Sequence, residues 1–145
     1  MSESERTWSA HERRERSIAA LAARQHGTIS TAQLHEIGLS PAGLTRRIRQ
    51  RRLHRLAIGV YAVGRPDIAP AGRRHAAVLL AGPGATVSHA SAAATWSLIP
   101  ATRRIHVTVP PATRTRSSAL VVIHRLRDLH AEDVVEIDGH PVTTV

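Results

Sequence analysis

Seven arginines, Arg46, Arg47, Arg49, Arg51, Arg52, Arg55 and Arg65, fall between Glu36 and Asp67 with no carboxylate among them. A guanidinium can do two kinds of chemistry at such density. It can donate two parallel hydrogen bonds to the O6 and N7 of a guanine, or it can hold a phosphate oxygen. The stretch "LSPAGLTRRIRQRRL", Leu39 to Leu53, puts five of them behind Ser40 and Pro41, an N-cap residue followed by a proline at the first helical position. On a helix begun there, Leu44 and Ile48 lie one turn apart and are expected to face a core. Ala42, Thr45, Arg46 and Arg49 then share the opposite side, where arginine suits guanine and threonine or alanine suits a thymine methyl. Ser40, Arg47, Arg51, Arg52, His54 and Arg55, at the flanks and beyond the helix, are placed for phosphates, which supply affinity with little sequence information.

The elements that must position this helix are legible on either side of it. From Glu15 to Gln25 the apolar residues Ile18, Leu21 and Ala22 follow helical spacing, and Gly27 supplies a stop. Ser30 and Gln33 have the spacing of a capping box, which predicts a second helix from about Thr31 to Ile37 that ends at Gly38. The arginine helix follows after a tight turn and should run to about Arg51. Leu53 to Leu56 and Val60 to Val63 read as a small hairpin turned at Gly59. Helix, short helix, tight turn, helix and hairpin form the order of a winged helix-turn-helix. The tip of the wing, "LAIGV", is apolar, so His54 and Arg55 at its base would have to meet the backbone of a nucleic acid.

The fold class expected is therefore α+β: a polar leader over 1–14, a winged helix-turn-helix over 15–64, a linker over 65–74 and a small α+β module over 75–145. In that module His75 to Ala81 and Ser88 to Leu98 are expected as helices, Ile105 to Val109 and Leu120 to Ile123 as strands, and "PPATRTRSSA" as the loop between the strands. Trp96 is expected to plug the core. Acids gather at the far end, in Asp128, Glu132, Asp133, Glu136 and Asp138.

Composition narrows the function classes. All 20 basic residues of the 145 are arginine, and the net charge is +9, which favours nucleic acid as a partner. Cysteine is absent, so disulfides and thiolate metal sites are excluded, and a reducing compartment fits. No run reaches the ~20 apolar residues of a membrane span, and the start lacks the apolar stretch of a signal peptide, so a cytoplasmic protein without a membrane partner is expected. The ten histidines form neither His-Glu-x-x-His nor His-x-His, and no metal or cofactor is expected. Ser88 beside His89 is read as a helix N-cap rather than a nucleophile. A nuclease of the restriction type would need a lysine beside its carboxylates, and the chain has none. No catalysis is expected.

The runs "IAALAARQHGTISTAQLHEIGLS", "GVYAVG", "HAAVLLAGPGATVSHASAAATW", "IHVTVP" and "DGHPVTTV" together resemble the N-terminal region of actinobacterial AbiEi-family antitoxins of type IV toxin-antitoxin systems, over about residues 16 to 145. "GPGATVSHASAA" is the most specific of them. The resemblance implies a winged helix-turn-helix that binds inverted repeats at its own promoter and represses it. It also implies a following domain associated with neutralising a nucleotidyltransferase-like toxin. It places the reading helix on Ser40 to Arg51 and the wing on Leu53 to Val63. Similar proteins often carry a basic residue where this chain has Ile58, and continue past the segment corresponding to Val145, so the chain is expected to be a shortened member. The function expected is that of a DNA-binding regulator occupying an inverted-repeat operator in double-stranded DNA, as monomer or homodimer. The alternative is an interaction module that binds the toxin without reading DNA.

Overall fold

The computed structural model describes residues 8–144, so residues 1–7 of the expected leader lie outside the description. Helix α1 (Ala10–Arg24) begins within that leader, because the Ser9 side chain accepts from the Glu12 backbone N–H at 3.1 Å and caps it. It buries Ile18 and Ala22. His26, at a φ of 57°, and Gly27, at 86°, then turn the chain through the left-handed region into β1 (Thr28–Ser30). Both halves of the Ser30–Gln33 capping box form at the start of α2 (Thr31–Ile37), which closes on Gly38 at a φ of 103°. After Ser40 and Pro41 comes α3 (Pro41–Arg49), with the Ser40 hydroxyl accepting from Gly43 N–H at 3.0 Å. Strands β2 (Leu53–Ala57) and β3 (Val60–Val63) complete an antiparallel sheet of order β1-β3-β2, turned at Gly59. Ile18, Ile29, Leu34, Leu39, Leu53 and Tyr61 make its core, with Leu44 packed against it.

The linker is shorter than composition suggested. Helix α4 (Pro70–Ala81) takes up its second half, since Pro70 sits where a proline starts a helix rather than breaks one. The second unit continues with β4 (Thr86–Val87), α5 (His89–Thr95), β5 (Ile105–Val109), β6 (Val121–Arg125), a 3₁₀ turn over Ala131–Asp133, β7 (Val134–Ile137) and β8 (His140–Thr143). Its five strands run in the order β6-β5-β4-β8-β7, with β5–β6 and β4–β8 parallel and the other pairs antiparallel. Ala77 and Ala81 of α4 pack on Val87, Val107, Val121 and Val142 of this sheet. Trp96 does not plug that core. It is 40% exposed, and its indole N–H donates to the Thr143 carbonyl at 3.0 Å.

The two units meet along a polar seam. Gly72 allows the close approach, since a Cβ there would stand 2.7 Å from the His26 carbonyl oxygen. His26 Nε2 donates to the Asp138 carbonyl at 2.6 Å, and the Arg74 guanidinium pairs with the Asp138 carboxylate at 3.1 Å. The Arg74 Nε–H donates to His140 Nε2 at 3.3 Å, so the buried His140 must be neutral to accept it. His26, His75 and His140 cluster with ring centroids 5.5 to 6.4 Å apart.

Burial, with His75 and Arg74 close by, pushes His140 down to about 4, and burial with His26 close by lowers His75. A folded chain that refuses protons the unfolded chain accepts is most stable above the unfolded histidine value of about 6.5 and loses stability as pH falls below it. Urea denaturation at pH 7.5 and pH 5 should therefore show a loss to which His140 alone contributes roughly 2 kcal/mol. His140→Gln should flatten that decline. Gly72→Ala should cost roughly 1–3 kcal/mol at either pH by forcing α4 off the His26 turn.

Candidate nucleic-acid interface

Helix α3 carries its polar residues as spacing required, with one exchange. Ala42, Thr45, Arg46 and Arg49 are all exposed, at i, i+3, i+4 and i+7 along one side. The Thr45 hydroxyl donates back to the Pro41 carbonyl at 3.1 Å, which leaves its methyl and oxygen lone pairs outward. Among the described residues, no carboxylate lies within 4.0 Å of Arg46, Arg49, Arg51 or Arg55. Ser40 is exposed, but its oxygen is engaged in capping α3. Arg51 holds a φ of 57° where the chain leaves the helix for β2. His54 is half-buried beside the Gly64 carbonyl, and Ile58 at the wing tip is 83% exposed.

The exchange concerns Arg47 and Ile48. Arg47, expected on the phosphate-facing flank, is buried, and Ile48, expected in the core, is 38% exposed. The reason is Glu15 on α1, which had not been singled out in the sequence. Its carboxylate pairs with the Arg47 guanidinium and, at 2.6 Å, with Arg52. A buried guanidinium tied to a carboxylate is not available to a phosphate, so Arg47 leaves the contact set. Arg52 keeps an exposed edge. Burial alone would raise the Glu15 carboxyl, but hydrogen bonds and charge from Arg47 and Arg52 hold it below its ordinary value. The clue in the sequence was the register: Glu15 precedes Ile18 by one turn and so lies near the buried face of α1.

The other candidate chemistry does not assemble. The Ser88 hydroxyl is buried and accepts from Thr108 at 2.7 Å, with His89 Nδ1 at 2.9 Å, and makes no capping bond to α5. His89, His106 and His124 stack, the His89 and His124 rings 3.8 Å apart and within 20° of parallel. His106 Nδ1 and His124 Nε2 lie 2.9 Å apart and share a hydrogen bond, so these two nitrogens are engaged with each other. No group of three or more histidines or carboxylates among the described residues could hold a metal. Of the acidic tail, Asp138 is spent on Arg74. No helix among the described residues is long and apolar enough to cross a membrane.

Three helices, a three-stranded sheet and an exposed basic second helix of the turn define a winged helix-turn-helix protein. Residues 16–64 match the model of a family described as transcriptional regulators, the AbiEi antitoxins. A search of the curated proteins found no match. Among solved structures, the chain is similar to the RV2827C protein from Mycobacterium tuberculosis, at 21% identity and a TM-score of 0.49, over 82% of this chain and 46% of that one. The chain thus spans less than half the length of that protein.

The Glu15 pairing can be tested by itself. Glu15→Ala leaves the Arg47 guanidinium buried without its counter-charge, and should lower the unfolding free energy by roughly 3 kcal/mol in chemical denaturation at pH 7.

Proposed function

We propose that this chain is a DNA-binding transcriptional regulator of the antitoxin type that reads an inverted-repeat operator with α3 and represses its own promoter. The observation that carries the reading is the outward row Ala42, Thr45, Arg46 and Arg49, whose arginines have no carboxylate beside them among the described residues. Arg46 and Arg49 reach for guanine edges and Thr45 and Ala42 for thymine methyls. Arg51, Arg52 and Arg55, with His54 and Ser40 at the margins, hold the phosphate backbone. Two copies, as paired monomers or a homodimer, would suit the two halves of an inverted repeat. The chain itself performs no catalysis in this reading.

A second reading has its own observation. Trp96, Leu98 and Ile99 form an exposed apolar run after α5, at 40%, 60% and 42% exposure. Such a run suits a protein partner, and a nucleotidyltransferase-like toxin is the one the family points to.

Fluorescence anisotropy separates the two. With a duplex from upstream of the chain's own gene and a scrambled duplex, each at several salt concentrations, the wild type should prefer the upstream duplex. Arg46→Ala/Arg49→Ala should lose that preference while weak, salt-sensitive binding survives. Equal binding to both duplexes by the wild type would sink operator reading. Absence of binding at moderate salt would leave the toxin-binding reading.

A further inference from the structure

A cleft of about 550 Å³ lies in the second unit, where α4, the strands β4, β5, β7 and β8 and the segment after β6 come together. Val78, Val109, Leu126, Leu129, Val134 and Pro141 supply its apolar wall. Leu126 is left 49% exposed there. Sites for small molecules have volumes of roughly 300–1,000 Å³, apolar walls and a few polar groups that fix orientation.

Two polar groups interrupt this wall. Thr86 is 5% exposed, and its hydroxyl has no hydrogen-bond partner among the described residues, yet it is not one of the polar atoms sealed from solvent. Since Thr86 lines the cleft, what remains accessible of that hydroxyl opens onto it. Thr108, its partner across β4 and β5, is already committed as a donor to the Ser88 hydroxyl. The second group is Arg127, which is exposed and has no carboxylate within 4.0 Å among the described residues. No acidic residue lines the cleft.

The donors present select the ligand. One guanidinium donates two parallel hydrogen bonds to a carboxylate, and one hydroxyl adds a third. A phosphate dianion would call for more donors than these. An exposed guanidinium contributes little affinity alone, so burial of an apolar body against the wall has to supply the rest. We infer that the cleft binds a small monocarboxylate with an apolar body the size of one or two aromatic rings. Arg127 and the Thr86 hydroxyl hold the carboxylate, and Leu126, Leu129 and Val134 cover the body. This site stands whether or not α3 reads an operator.

Isothermal titration calorimetry on the full chain, with cinnamate as the probe, tests it. The wild type should bind cinnamate saturably with a Kd below about 1 mM. Cinnamamide keeps the body without the charge and should bind about tenfold more weakly, whereas acetate keeps the charge without the body and should give no saturable heat. Arg127→Gln should weaken cinnamate about tenfold, and Thr86→Val about fivefold. The exposure of Arg127 lets Arg127→Gln fold, so that variant decides if Thr86→Val does not. Another apolar groove lies beneath the wing, bordered by Leu56, Ile58, Leu80 and Arg116, and Arg116→Gln should leave cinnamate binding unchanged. Equal affinity of the wild type and Arg127→Gln would overturn the site. So would loss of binding in Arg116→Gln instead, or a wild type that does not bind cinnamate saturably.

Discussion

One carboxylate sets the orientation of the basic helix. Glu15 reaches from α1 to Arg47 in the middle of α3 and to Arg52 just past its end, so the two helices are tied at two points. Helical geometry then decides the rest. With Leu44 and Arg47 turned inward, one turn apart, the side 180° away carries Ala42, Thr45, Arg46 and Arg49. The cost is that an apolar residue, Ile48, is left partly in solvent. Leu44 packs against the core, and the Glu15 carboxylate pairs with the buried Arg47 guanidinium, whose charge would be stranded without it, so packing and charge pairing favour the same rotation of this nine-residue helix.

The seam between the two units uses similar physics with weaker groups. Arg74 is held between the Asp138 carboxylate and the ring of a neutral His140, while His26 closes the contact through a backbone carbonyl. The arrangement joins the turn after α1 to the last hairpin of the second unit, so the helix-turn-helix unit and the β-sheet unit share a polar, titratable boundary. Burying histidines there lowers their proton affinity, and their neutrality is part of the fit.

Much of the helix-turn-helix unit is legible in the chain because its signals are local. The Ser30–Gln33 box, the Gly38 stop and the Ser40–Pro41 start each depend on residues within a few positions of one another, and each formed as spacing required. The second unit was less legible. Strand β4 has two residues, and β7 and β8 lie among charged and turn-forming residues, too short for periodicity to declare them. Pro70 and Gly72 looked like linker residues; one starts α4 and the other lets it touch the His26 turn. Trp96, at the end of an alanine-rich helix, reads as a core residue, but its indole edge is used on the Thr143 carbonyl.

What the sequence determined by itself was the inventory: an arginine-rich helix after a tight turn, a short hairpin beyond it, a net positive charge carried entirely by arginine, and no cysteine. Which arginines remain free was decided only in the tertiary structure. Arg46 and Arg47 are neighbours of one type, and one faces solvent while the other is buried on a carboxylate 32 residues away. Propensity and capping act over one turn of helix, whereas burial and charge pairing act wherever the fold brings two elements together, and that distance along the chain leaves no local mark.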